Sequence, residues 1–149
     1  MALSGKMEAD VEIKASAQIF HDLLGGRPHH MPNATEKLQS CELHEGEFGK
    51  HGSVVYWNYV HEGVPKVAKE LVELDDANLT TTYTVTEGDL MKEYKAFKFI
   101  AKATPKAEGC TVHWTIEYEK LNENIPEPHS MLEFAVHLSK DLDEHLAKA

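Results

Sequence analysis

The sequence predicts an α+β protein, a curved antiparallel sheet of about seven short strands closed by one long C-terminal helix. Three observations predict it. From Ser130 to Leu146, Met131, Ala135, Leu138, Leu142 and Leu146 recur at helical spacing and make one apolar stripe. Nothing upstream shows an amphipathic helix of comparable length. Most of the remaining chain alternates apolar and polar residues in short runs divided by Gly, Pro, Asp and Asn turns.

The elements follow in order. Met7 to Lys14 alternates, with Met7, Ala9, Val11 and Ile13 on one side and Glu8, Asp10, Glu12 and Lys14 on the other, which predicts a half-buried strand. Ser16 is placed to cap a short helix through Ile19, Phe20, Leu23 and Leu24, ended by Gly25 and Gly26. Arg27 to Pro32 holds too much proline for a long helix and reads as a turn or a second short helix. Leu38 to Leu43 is a weak strand, and Glu45 to Gly52 a glycine-rich turn. Ser53 to Val60 is a strong strand with Val55, Trp57 and Tyr59 on one face. After Glu62-Gly63 comes Val64 to Leu74, in which either Lys69 or Glu70 could point inward. A turn at Asp75 to Asn78 leads to Leu79 to Thr86, with Leu79, Thr81, Tyr83 and Val85 aligned. A further turn at Glu87 to Asp89 precedes Tyr94 to Thr104, with Phe97, Phe99 and Ala101 aligned. Thr104 to Gly109 turns again, and Cys110 to Lys120 alternates most cleanly, Val112, Trp114, Ile116 and Tyr118 against His113, Thr115, Glu117 and Glu119. Pro126 and Pro128 stand just ahead of the last helix, where proline is tolerated.

Consecutive hairpins imply antiparallel pairing, and one polar face per strand implies one wet side. A sheet this wide must curl. Curled round one helix, it has more inner surface than a single apolar stripe fills. Many of the inner side chains are aromatics with polar tips that want partners when buried. A roomy amphipathic pocket is expected, lined by Val55, Trp57, Tyr59, Leu71, Thr81, Tyr83, Phe97, Phe99, Trp114 and Ile116 from the sheet and by Met131, Ala135 and Leu138 from the helix.

The bulk properties narrow the function. A chain of 149 residues is expected to form a single domain over 1–149, with a core large enough to need no staples. Its formal charge is −10, with 25 acidic against 15 basic residues, and no basic stripe is evident. Nucleic acid is therefore not an expected partner. The first residues hold no apolar signal segment, and no run approaches the ~20 apolar residues of a membrane span. A cytoplasmic protein is expected, monomeric or weakly dimeric, with no membrane partner. Cys41 and Cys110 could pair, but two free thiols suit such a compartment better. Ten histidines make net charge sensitive to pH between about 5 and 8.

In order along the chain, several motifs resemble the plant Bet v 1 superfamily, pathogenesis-related class 10 proteins, and within it the major latex protein-like branch. They are Leu43-His-Glu-Gly46 running into Gly49 and Gly52-Ser-Val-Val-Tyr-Trp57, Val67-Ala-Lys-Glu70, Glu87-Gly-Asp-Leu-Met91 with Tyr94-Lys95, Thr104-Pro-Lys106, and Val112-His-Trp-Thr-Ile-Glu-Tyr-Glu-Lys120. The resemblance covers the whole length. It implies the START-like helix-grip fold: seven antiparallel strands around a long C-terminal helix, two short helices in a V beneath, and a large internal cavity. It also implies a hydrophobic or amphipathic small-molecule ligand (a terpenoid, steroid, alkaloid or lipid-like metabolite) and roles in plant defence or specialised metabolism. A minority of the family are cofactor-free enzymes that cyclise or isomerise reactive terpenoid or alkaloid intermediates. Alkaloid-condensing members carry a lysine on the helix-facing wall near the end of the sheet. Here the inner row of the last strand is Val112, Trp114, Ile116 and Tyr118, so no lysine is carried over.

Other candidate chemistry is sparse. The glycine-rich turn lacks the G-x-x-x-x-G-K-[ST] pattern of a phosphate loop. His129, Glu133, His137, Asp141 and His145 form a ladder that could hold a metal on one face, but a solvated helix face with i,i+4 pairs explains it, and no metal is expected. His29 and His30 lie, by resemblance, where the short helices guard the cavity mouth, and read as entrance or surface residues. Neither cysteine has the setting of a nucleophile. No cofactor motif is present. An enzyme here would move a proton with a tyrosine or carboxylate in a dry pocket; the candidates are Tyr59, Glu70 and Tyr83, with Lys69 and Lys95 nearby.

Overall fold

The computed structural model describes residues 2–148; Met1 and Ala149 lie outside the described residues. Seven strands form one antiparallel sheet: β1 Ser4–Ile13, β2 Leu38–Glu45, β3 Ser53–His61, β4 Val64–Asp75, β5 Thr80–Gly88, β6 Tyr94–Pro105 and β7 Cys110–Lys120. Their order is β1-β7-β6-β5-β4-β3-β2, so every neighbour is a sequential hairpin except the β1–β7 pair. The alternation that predicts each strand sets its inner face. In β3, Val55, Trp57 and Tyr59 are buried, and in β7, Val112, Trp114, Ile116 and Tyr118. Register shifts in the β2–β3, β4–β5 and β6–β7 pairs locally bend the strands and help the sheet wrap.

The long helix, His129–Lys148, lies in the concave face and is here α2; the short helix after β1, Ala17–His21, is α1. Ser16 caps α1 as expected, its Oγ accepting the Ile19 amide at 3.1 Å. The helix widens into a π-helical turn, Asp22–Gly26, and a 3-10 turn, Pro28–Asn33, follows. Pro28 and Pro32 explain why the second short helix stays a single tight piece. Three polar contacts fasten α2. Asp143 accepts the Lys14 and Ala15 amides at 2.9 and 3.1 Å. Asp141 accepts from Thr35 Oγ1 at 2.7 Å and Lys37 Nζ at 3.3 Å. The Trp114 indole donates to Ser139 Oγ at 2.7 Å. One of the five rungs of the helical ladder is thus spent on the β2 approach, while His129, Glu133, His137 and His145 face solvent.

The glycine-rich segment is a hairpin turn between β2 and β3, as expected. Gly49 has φ +82° and sits so close to the π turn that a Cβ there would stand 2.8 Å from the Gly26 carbonyl. Only glycine lets these two loops touch. Cys41 and Cys110 are unpaired thiols.

Candidate functional site

Between the sheet and α2 the side chains leave a hollow. Trp57 and Tyr59 of β3, Ala68 and Glu70 of β4, Tyr83 of β5, Phe99 of β6 and Trp114 of β7 form its sheet wall. Met131, Phe134, Ala135 and Leu138 form the helix wall, and Met31, Leu38 and Leu90 border it as well. Space free of protein atoms, counting the open mouth, is about 560 Å³, but only about 60 Å³ can take the centre of a water-sized molecule. That is narrower than the roomy cavity the sequence suggests. As it stands it suits a few waters or a small fragment, against the roughly 300–1,000 Å³ of a drug-sized pocket. Aromatic side chains meet one another across this space, within the sheet and between sheet and helix. Trp57 and Tyr83 meet edge-on at 6.5 Å and 82°, and Tyr59 and Phe134 at 5.8 Å and 66°.

The polar tips divide into two groups. Tyr83 donates to the Leu24 carbonyl at 2.5 Å, a group presented by the π turn. Trp114 is satisfied by Ser139, and Tyr94 by the Pro126 carbonyl at 2.8 Å. By contrast Trp57 Nε1 and Tyr59 OH are buried with no hydrogen-bond partner. Beside them Glu70, 7% exposed, faces inward. Burial pushes its carboxyl up to about 7, and the nearby Trp57 indole opposes that shift in part. Burial and the Glu70 charge together raise the Tyr59 and Tyr83 phenols, and the same causes with Glu42 push the Cys41 thiol up to about 12. Two unpartnered polar groups, Trp57 Nε1 and Tyr59 OH, therefore lie beside the Glu70 carboxyl in an otherwise apolar chamber.

Of the expected lining residues, Trp57, Tyr59, Tyr83, Phe99, Trp114, Met131, Ala135 and Leu138 border the hollow. Val55, Thr81, Phe97 and Ile116 are inward but packed away from it, in solid core. Leu71 is a correction: Ala68, Glu70 and Val72 take the buried phase of β4, so Leu71 points to the outer face. The Lys69 or Glu70 ambiguity resolves the same way, with Lys69 outside beside Glu87 at 3.3 Å. His29 and His30 are also corrected, since neither borders the hollow. His29 stacks on Phe48 of the β2–β3 turn at 3.9 Å, and Met31 takes the bordering position. The residues missed were Met31, Leu38, Ala68, Leu90 and Phe134, most of them outside the strand stripes on which the reading relied. Among the described residues no three His, Cys, Asp or Glu side chains converge as a metal site would need, and no helix is long and apolar enough to cross a membrane.

A helix gripped by a seven-stranded antiparallel sheet, with an aromatic hollow between them, defines the helix-grip class of ligand-binding folds. The chain belongs to the pathogenesis-related protein Bet v 1 family, whose model matches residues 2–149. It is similar to MLP-like protein 31 of Arabidopsis thaliana, 52% identical over 97% of this chain and 87% of the relative. It is also similar to the solved structure of major latex-like protein 151 from Panax ginseng, with 43% identity, TM-score 0.93, and coverage of 97% of this chain and 98% of that one. A START superfamily protein from Mycobacterium smegmatis shares the fold at TM-score 0.79 with 16% identity, covering 96% of this chain and 97% of that one. The Bet v 1 family is known for binding hydrophobic ligands.

Proposed function

We propose that the protein binds a hydrophobic or amphipathic small molecule in the hollow between sheet and α2. The observation that carries this reading is the meeting of buried, unpartnered polar tips, Trp57 Nε1 and Tyr59 OH, with Glu70 in an aromatic chamber. Unpaired buried polar groups cost about 1–3 kcal/mol each, and a ligand that pairs them recovers that cost. Affinity comes mainly from apolar burial, at ~25 cal/mol per Å². A guest larger than a fragment enters by displacing the long side chains that border the space, Met31, Leu90 and Phe134. Nile red, a neutral apolar fluorophore, tests the reading. It is expected to bind saturably at about micromolar concentration, and Trp57→Ala or Phe99→Asp to weaken it. Unchanged binding in both variants overturns the site.

One observation favours a second reading, a cofactor-free enzyme that isomerises or cyclises a reactive terpenoid or alkaloid intermediate. Glu70 has its carboxyl raised by burial to about 7, near the working value of a general acid or base, in a largely apolar site. Incubation with a panel of such precursors separates the readings. Altered product ratios that Glu70→Gln abolishes support catalysis, and no turnover of any precursor supports carriage alone.

A further inference from the structure

The hollow has an acid and no base. Among the described residues its only ionisable lining groups are Glu70, Tyr59 and Tyr83, and no lysine, arginine or histidine borders it. The Glu70 charge is felt by titratable groups on three elements, Cys41 of β2, Tyr59 of β3 and Tyr83 of β5, each of which it raises. The helix side offers Met131, Phe134, Ala135 and Leu138, none of them charged. Other charged or titratable groups lie nearby but outside the hollow. Lys66, opposite Tyr59 in the β3–β4 pair, acts on Asp89, whose carboxylate accepts the Val67 amide at 2.8 Å. His61 is separated from the hollow by Phe134, its ring meeting that phenyl edge-on at 5.8 Å, and sits 3.8 Å from Glu62.

This charge arrangement sorts ligands. A carboxylate or phosphate brought into the hollow meets a buried carboxyl and no cation, so two like charges share a low-dielectric space. A neutral molecule finds hydrogen bonds but no charge partner. A protonated amine finds a carboxylate to pair with, and the rings of Trp57 and Tyr83, set at right angles, with Phe99 beside them, offer their negative faces.

Resting on the ligand-binding reading above, we infer that Glu70 makes the hollow selective for amphiphiles whose polar end is a basic amine, with the amine nitrogen donating to the Glu70 carboxylate inside the aromatic wall. Binding then carries a proton signature. The amine needs Glu70 ionised, so a complex formed from the protonated carboxyl releases one proton to solvent. With the Glu70 carboxyl near 7, amine affinity rises with pH up to that value and levels off above it. A carboxylate ligand shows the opposite slope, because it binds only where Glu70 is protonated.

The test uses three ligands with one apolar body: naphthylmethylamine, naphthylmethanol and naphthoate. Each is titrated into the full-length protein by calorimetry between about pH 5.5 and 8.5, where an alkylamine stays charged. The amine is expected to bind most tightly, gaining about tenfold or more across that range. The alcohol should show little change, and naphthoate should be weakest and weaken further as pH rises. Glu70→Gln should remove the amine's preference over the alcohol and flatten its slope. Wild-type profiles need no variant, so the inference stays testable should Glu70→Gln misfold. Equal affinities with parallel pH profiles, or an amine slope that persists in Glu70→Gln, overturns amine selectivity and leaves ligand binding intact. Failure of all three ligands, and of Nile red, at every pH overturns ligand binding itself.

Discussion

Trp114 Nε1 donates to Ser139 Oγ at 2.7 Å, and Ser139 Oγ in turn donates to the Ala135 carbonyl at 2.8 Å. The relay joins the middle of β7 to the middle of α2. It also determines which polar tips are free in the hollow, because it satisfies one of the protein's two tryptophans and leaves the other, Trp57, open. Ser139→Ala strands a buried indole N–H. The variant is expected to lose about 1–3 kcal/mol of stability, read as a lower urea midpoint at constant slope.

Asp143 holds two backbone amides at the β1–α1 corner. Asp143→Ala removes both acceptors at once and is expected to cost about 2–3 kcal/mol. Hydrogen exchange gives the local reading: the Lys14 and Ala15 amides should lose protection before the amides of β6 do. Equal protection in mutant and wild type would show that α2 docks without this contact.

Ala68 of the sheet wall and Ala135 of the helix wall both border the hollow. Replacing either with leucine fills space that the native side chains leave empty. Nile red affinity should fall about tenfold or more in Ala135→Leu, with stability changed by under about 1.5 kcal/mol. Full affinity in the filled variant places the probe elsewhere.

Glu70 makes stability depend on pH in an unusual direction. Its carboxyl lies near 7 in the folded protein, above the 4.5 of an unperturbed glutamate. The folded state therefore holds its proton more tightly than the unfolded state does. Its contribution is full below about 4.5, falls as pH rises toward 7, and is lost above that value. Glu70→Gln is expected to be the more stable protein at pH 8 relative to the pair's difference at pH 4, by up to ~3 kcal/mol. Chemical denaturation of both proteins across that range checks it; parallel curves would mean the carboxyl titrates as if exposed.

His113 has the ordinary sign. It sits between Asp10 and Glu8 at 2.6 and 3.0 Å on the outer face of the sheet, and its hydrogen bonds to them raise it above 6.5. That stabilisation is present below 6.5 and fades as pH climbs through the raised value. The site is largely exposed, so the effect is small and should shrink further in high salt, as a His113→Gln comparison would show.

The strand stripes were readable because each side chain's phase is set by strict alternation against one buried face. β4 was not, because Val67 and Leu71 lie in one phase while Ala68 and Val72 lie in the other. The signal that decides it sits two residues upstream of the strand. Glu62 and Gly63 both have positive φ, 53° and 77°, and make a two-residue hairpin that pairs His61 with Val64. Counting back from that pair puts Ala68 opposite Trp57 and Glu70 opposite Val55, on the inner face. The hollow's tightness was not legible. Nothing local tells that Tyr83 spends its hydroxyl on Leu24, or that Phe134 turns in from the flank of α2 to meet Tyr59. Those are choices made by packing over distance.

β1 has its ladder partner at the far end of the chain: Ile13 lies against Cys110 and Ser4 against Glu119. During synthesis β1 must therefore wait, unpaired, until β7, about a hundred residues later, has left the ribosome. Its charged outward residues, Glu8, Asp10 and Glu12, give that waiting strand a surface that discourages premature association with another nascent chain.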